Sequence, residues 1–158
     1  MNAKWMTYLT SVGITGLFYL RTKEILDFYQ KLYPDQVEDI FVGEYVDKDG
    51  NRQYQSLWLF SETNIMEAKK FLTEDDFDCA PFRKQIQYWD IKKENYDFSK
   101  ASTESRMVIK VGFVHNVTFE LKASRENCDY LKTIFLKHIF KNVIDSAKPA
   151  QQIEGDEA

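Results

Sequence analysis

Two runs of alternating apolar residues, 107–114 and 117–122, constrain the fold of this 158-residue chain more than any other feature. The alternating residues are Met107, Ile109, Val111 and Phe113 in the first run and Val117, Phe119 and Leu121 in the second. An apolar residue at every second position places these side chains on one face of a strand. His115 and Asn116 lie between the runs, and Asn tolerates the left-handed backbone that a two-residue turn needs. The two runs are therefore predicted to form an antiparallel hairpin with one apolar face.

After the hairpin the spacing of apolar residues becomes helical. Ser124 is predicted to cap a helix that carries Glu126 in its first turn. The residues at helical spacing are Cys128, Leu131, Ile134, Phe135, His138, Ile139 and Val143. This stripe predicts one long C-terminal helix with one face in the core. Leu136 and Phe140 lie on the other side of that helix, so they are predicted to form a partner surface.

The middle of the chain predicts further strands. They are expected at Ile40–Val46, Gln53–Phe60 and Gln85–Ile91, with a turn at 47–51, an interruption at 80–82 and a return to the sheet at Tyr96 and Phe98. Residues 65–72 fit either a helix or a strand bent by a bulge. The predicted fold class is therefore α+β, a mostly antiparallel sheet sandwich or barrel that is capped by the C-terminal helix and preceded by an N-terminal helical segment. The predicted division is a helical segment at 1–34, a sheet domain at 37–146 and an acidic tail at 147–158.

Residues 5–20 carry no charge in a chain of which 29% is charged. As one helix this run would rise about 24 Å, a little short of a hydrocarbon core of about 30 Å, and Lys4 and Arg21 could extend its reach by snorkelling. Four hydroxyl residues and two glycines dilute the run, so a buried helix or hairpin is the alternative to a membrane span or anchor. The expected membrane contacts are Trp5, Tyr8, Leu9, Ile14, Leu17, Phe18 and Leu20. An amphipathic helix capped by Thr22 is predicted to follow and to end at Pro34.

Composition and motifs argue against nucleic-acid binding and catalysis. The net charge is −4, whereas a nucleic-acid-binding domain normally presents a basic face. The sequence has no phosphate-binding glycine loop and no nucleophile motif. His115 is predicted to be solvated because it lies in a turn, and His138 is predicted to be packed because it lies on the helical stripe. Neither has a metal-binding partner at the usual spacing. Cys79 and Cys128 fit no zinc or disulfide pattern and are predicted to be buried thiols.

The acidic residues 74–78 lack the glycine and the terminal glutamate of a calcium loop, so a solvated loop is predicted there. No metal, cofactor or catalytic residue is therefore predicted.

A mid-chain motif of the form F-x-C-A-P-F-x-x-x-I-x-x-W adds a family resemblance. Its residues are Phe77, Cys79, Ala80, Pro81, Phe82, Ile86 and Trp89. Together with the strands, the final hairpin and the closing helix, residues 37–143 resemble the bacterial pleckstrin-homology-like domains. The resemblance implies a seven-stranded, two-sheet sandwich or open barrel that binds rather than catalyses. Many eukaryotic members bind phosphoinositides through basic residues of the first hairpin, where this chain has only Lys48 and Arg52, with Asp47 and Asp49 beside them.

Two functional hypotheses follow, and both have other protein subunits as partners. The first is a non-enzymatic scaffold or accessory subunit tethered to a membrane by its N-terminal segment. A hydrophobic N-terminal segment followed by a strand-rich domain resembles the arrangement in small mitochondrial membrane proteins. The expected location is therefore a membrane, such as the mitochondrial inner membrane. The alternative is a soluble, cytoplasmic adaptor of the pleckstrin-homology-like type that forms homo-oligomers.

Overall fold

Seven β-strands dominate residues 1–72 and 78–144, the part of the chain that the computed structural model describes. In chain order they are β1 (Asp39–Val46), β2 (Arg52–Phe60), β3 (Asn64–Lys69), β4 (Asp78–Arg83), β5 (Tyr88–Glu94), β6 (Arg106–Gly112) and β7 (Thr118–Ser124). All neighbouring strands are antiparallel, and they form sheet 1 in the order β1-β2-β3-β4 and sheet 2 in the order β5-β6-β7. The predicted α+β class is confirmed, and over these residues the two sheets do not close into the barrel that was the alternative.

The uncharged N-terminal run forms two helices rather than one. Helix α1 spans Ala3–Ser11 and helix α2 spans Leu17–Leu32. Helix α1 ends in a Schellman motif, in which Ile14 N–H donates to the Leu9 carbonyl at 2.8 Å and Gly13 has a φ of +86°. Glycine adopts this left-handed backbone conformation without steric strain, so the helix ends there. Thr22, predicted as the cap of the second helix, instead lies buried inside α2 and donates its hydroxyl to the Phe18 carbonyl.

Sheet 1 is covered on both faces. Six consecutive residues of β1, from Asp39 to Glu44, are buried, as are Ser56 to Phe60 of β2. One cover is sheet 2, since the rings of Trp58 and Phe119 lie 4.5 Å apart. The other is the α1–α2 segment, whose apolar residues belong to the same hydrophobic core. Both covers remove apolar area from water, which is the main stabilising contribution to such a core.

Sheet 2 has one buried and one open face. The predicted hairpin is confirmed as β6 and β7, with Ile109 opposite Leu121 and Val111 opposite Phe119. The buried side chains alternate with exposed or half-buried ones, as the period of two requires. The turn is longer than predicted, because a short 3₁₀ segment at Val114–Asn116 lies between the strands.

Four local predictions in the middle of the chain need correction. Residues 64–69 are a strand, so the helical alternative for that region is wrong. The residues 80–82 do not interrupt the chain but lie inside β4, an edge strand that tolerates Pro81. The strand predicted at 85–91 is shifted to β5, and Tyr96 and Phe98 lie in the loop that follows it.

The C-terminal helix is present but changes geometry along its length. Helix α3 spans Asn127–Ile134, a π-helical turn follows at Phe135–Ile139, and a 3₁₀ turn at Phe140–Asn142 ends the segment. Ser124 is not its cap, because this residue ends β7 and its hydroxyl donates to Glu44. We call residues 127–142 the C-terminal helical segment.

Candidate functional site

The structure divides the predicted membrane contacts into two groups. Trp5, Tyr8, Leu9 and Ile14 are buried in the hydrophobic core. Leu17, Phe18 and Leu20, at the start of α2, are between 42% and 55% exposed. Within the described residues, no helix combines the length and the apolar character needed to cross a membrane.

The two residues of the predicted partner surface are exposed, and an exposed tryptophan lies beside Phe140. Leu136 and Phe140 are 48% and 54% exposed, and Trp89 of β5 is 37% exposed. The Trp89 ring lies 6.2 Å from Phe140 and 4.9 Å from the more deeply buried Phe135. We call Trp89, Leu136 and Phe140 the apolar end of the molecule. Sequence reasoning missed Trp89, because the local pattern does not show that its strand lies at the edge of a sheet.

Strand β5 forms one border of this apolar end and one edge of sheet 2. Six of its seven residues are exposed, and only Ile91 is half-buried. The ring of Tyr88 lies over Gly112 of β6, where a Cβ atom would come within 2.0 Å of it. The ring therefore covers β6. Among the described residues no other strand pairs with the outer edge of β5, although the Ile144 N–H donates to the Ile86 carbonyl two residues before the strand begins. Such an edge presents unpaired N–H and C=O groups that can accept another strand.

A buried polar cluster surrounds Glu44, which is fully buried near a bulge of β1. Its carboxylate accepts hydrogen bonds from Arg52 Nε at 3.2 Å, Asn127 Nδ2 at 2.8 Å and the Ser124 backbone N–H at 2.8 Å. The same guanidinium binds Glu126 at 2.8 Å. We call Glu44 and these partners the Glu44 cluster. Because two carboxylates occupy Arg52, this residue is not available as the phosphate ligand of the first hairpin.

Tyr8 joins helix α1 to the Glu44 cluster. Its hydroxyl donates to Asn127 Oδ1 at 2.8 Å and accepts from the Val42 backbone N–H at 2.9 Å. Burial raises the pKa of this phenol, so the hydroxyl remains a donor. Tyr54 makes a second link, from its hydroxyl to the Val12 carbonyl at 2.6 Å. The N-terminal helices are therefore tied to the sheets by specific hydrogen bonds as well as by apolar packing.

A second polar cluster surrounds Asp39, at the other end of β1. The Asp39 carboxylate lies 2.7 Å from His138 Nε2 and 2.9 Å from Lys137 Nζ, and Lys84 Nζ lies 2.7 Å from His138 Nδ1. An ionised carboxylate can only accept, so Nε2 carries the imidazole proton and Nδ1 accepts from Lys84. We call Asp39, His138, Lys84 and Lys137 the Asp39 cluster. It lines up a carboxylate, an imidazole and an amine, between which a proton can move.

Burial and charge set the protonation of the Asp39 cluster. Burial lowers the pKa of His138, although the bond to Asp39 partly opposes this, and burial likewise lowers the pKa of Lys84. For Asp39, burial is outweighed by hydrogen bonds from His138 and Lys137, so its pKa lies below the ordinary value. His138 is fully buried and belongs to the π-helical turn, a geometry often found at functional sites.

The other histidine and the two cysteines are not part of either polar cluster. His115 is exposed on its loop, and Cys128 is buried, which raises its pKa to about 12. Cys79 is only half-buried, so the prediction of two buried thiols is half correct. The acidic residues 74–76 and the tail 147–158 lie outside the described part of the chain. Within that part, no group of three or more metal-binding side chains is assembled.

A depression of about 630 Å³ lies between β2, β3 and the hairpin of sheet 2. Its rim carries four lysines together with Glu67 and Glu120. Glu120 lies 3.9 Å from Lys122, and Lys70 pairs with Asp78 at 3.6 Å. The opposite charges are interleaved, so the depression does not form a dedicated anion site.

The fold and these clusters define the chain as an α+β protein with two open antiparallel sheets. A scan against protein-family models and searches of curated proteins and of solved structures found no match. The resemblance to pleckstrin-homology-like domains therefore stays a prediction.

Proposed function

We propose that this protein is a non-enzymatic protein-interaction module that binds partner proteins through its apolar end. The observation that carries the proposal is the exposure of Trp89, Leu136 and Phe140, two of which lie together, with the rings of Trp89 and Phe140 6.2 Å apart. Tryptophan and other aromatic residues are enriched where protein interfaces form, and contiguous exposed apolar groups mark such sites. The inward orientation of Glu44 and His138, both fully buried, supports a structural role for the polar clusters.

The test compares two pairs of exposed apolar residues. Leu136→Ser with Phe140→Ser removes the centre of the apolar end. Val114→Ser with Val117→Ser is the matched control in the turn between β6 and β7, where the two residues are 49% and 44% exposed. Chemical cross-linking in cells followed by mass spectrometry should show partners that the first pair loses and the control pair retains. Equal loss in both pairs, or loss in the control alone, would count against the apolar end, provided circular dichroism shows both variants folded.

A second candidate function is contact with a membrane surface through the start of α2. The exposure of Leu17, Phe18 and Leu20 favours it, and Lys23 follows them in the same helix. Apolar side chains with a neighbouring cation suit an interfacial contact with anionic lipid. The module would then be held at a membrane as an accessory subunit.

Vesicle co-sedimentation tests this second function. Wild type should bind anionic phosphatidylserine vesicles, and Leu17→Ser with Leu20→Ser should release the protein from them. The Leu136→Ser and Phe140→Ser pair is the control and should bind as wild type does. Equal recovery of wild type with and without vesicles would exclude this contact.

A further inference from the structure

Strand β5 carries charges whose order is complementary to itself. The sequence Tyr88-Trp-Asp-Ile-Lys-Lys-Glu94 places Asp90 and Lys92 on either side of Ile91. In the pairing with β6, Asp90 lies opposite Lys110 and Lys92 lies opposite Val108. Residues two apart share a face of a strand, so Asp90 and Lys92 both project from the open face of sheet 2.

Antiparallel pairing of two β5 strands has one register that suits these charges. With the twofold axis at Ile91, Asp90 of each copy lies opposite Lys92 of the other, and the contact occurs twice. An axis at Asp90 would instead oppose two aspartates, and an axis at Lys92 would oppose two lysines. Opposite charges directly across a ladder stabilise it and like charges destabilise it. A shift by one residue would also turn the buried face of one copy outward, which the half-buried Ile91 disfavours.

We propose that a second copy of this chain is the partner that β5 binds, in antiparallel register about Ile91, giving a continuous six-stranded sheet. The inference rests on the proposed function, because it names a partner for the border of the same apolar end. The open backbone edge supplies the hydrogen bonds, and the Asp90–Lys92 contacts select the register. The twofold axis perpendicular to the sheet keeps the apolar ends of both copies on the same side.

Charge exchange at the two positions tests this register. Asp90→Lys gives a chain with lysine at both positions, and Lys92→Asp gives a chain with aspartate at both. Each single variant should dimerise with itself at least about tenfold more weakly than wild type. An equimolar mixture of the two variants should dimerise, because every contact is then complementary. The double variant D90K/K92D should self-associate like wild type.

Sedimentation equilibrium over a wide concentration series measures these effects. The control exchanges Glu120→Lys and Lys122→Asp on β7, where Glu120 also lies opposite Lys110 and the net charge changes by the same amount. These controls should leave dimerisation unchanged.

A wild type that stays monomeric throughout would overturn the self-pairing, and so would single variants that dimerise normally. Neither result touches the cross-linking test of the apolar end, so the two proposals fail separately. If a single variant loses its circular dichroism signal, the D90K/K92D variant still decides, since it must dimerise if the register is correct.

Discussion

Glu44 and Asp39 lie five residues apart on the same strand, and both carboxylates are buried, yet their surroundings differ. Glu44 is held by a guanidinium, an amide and a backbone N–H, groups that keep their protonation state across the physiological range. Asp39 is held by an imidazole and by Lys137, which is half exposed.

Both clusters hold the structure together, but only the Asp39 cluster contains a histidine, whose charge can change between pH 5 and 8. The Glu44 cluster ties α1, β1, β2, β7 and the C-terminal helical segment together. The Asp39 cluster joins the start of β1 to the π-helical turn and can respond to pH. Three predictions test this contrast, ordered by the size of the expected effect.

The largest effect is expected from Glu44→Ala. It leaves the buried N–H and hydroxyl of Ser124 without their acceptor and removes one of the two carboxylates that pair with Arg52, so the free energy of unfolding should fall by about 3–5 kcal/mol. Asp39→Ala should cost less, about 1–3 kcal/mol, because Lys137 can turn to water. Urea unfolding followed by circular dichroism measures both losses. Glu120→Ala, an exposed carboxylate on sheet 2, is the control and should change stability by less than about 0.5 kcal/mol. A larger loss for Asp39→Ala than for Glu44→Ala would reverse the contrast.

A smaller effect is expected from Tyr8→Phe. The change leaves the buried Val42 N–H and the Asn127 oxygen without their partner and should cost about 1–3 kcal/mol in urea unfolding. Tyr130→Phe is a matched control, because its ring stacks on Tyr8 at 3.7 Å and its buried hydroxyl has no hydrogen-bond partner among the described residues. That control should be neutral or slightly stabilising. Equal losses for the two variants would mean that the hydrogen-bonded hydroxyl of Tyr8 contributes no more than the unpartnered hydroxyl of Tyr130, and would contradict its role in holding α1.

The smallest effect is a pH dependence carried by His138. Its pKa is lower in the folded protein than in the unfolded chain, so the unfolded state binds more protons in the window between the two values. The His138 contribution is therefore complete above a pH of about 6.5 and is lost as the pH falls below it. The charged groups facing His138 are Asp39, Lys84 and Lys137, and Asp39 retains its own stabilising effect until the pH falls through its lowered pKa.

Thermal unfolding measured from about pH 8 to pH 5 checks this window. His138→Gln keeps a donor and an acceptor but does not titrate, so its stability should decline less than that of wild type below pH 6.5. His115→Gln, at an exposed loop position, is the matched variant at the second histidine. Identical stability–pH profiles for wild type and His138→Gln would mean that groups other than His138 cause the pH dependence.

Local patterns predicted much of the fold and part of the candidate site. The alternation at 107–121 predicted β6 and β7, and the helical stripe predicted the C-terminal helical segment together with exposed Leu136 and Phe140. Trp89 was missed because it lies on an edge strand, which has a neighbouring strand on one side only. Nearby residues in the sequence do not reveal which strand is the edge. The uncharged run at 5–20 was ambiguous, because a segment buried in lipid and a segment buried against a sheet have similar apolar sequences.

The sequence by itself determined the β6–β7 hairpin, the C-terminal helix and the apolar face of each, because those patterns repeat within a few residues. Only the tertiary structure decided the partners of Glu44 and Asp39. Ser124 and Glu44 are 80 positions apart, and Asp39 and His138 are 99 positions apart. Such polar contacts depend on how the sheets and the C-terminal helical segment pack together, because a hydrogen bond forms only when donor and acceptor lie about 3 Å apart. Local spacing therefore carries no signal of them.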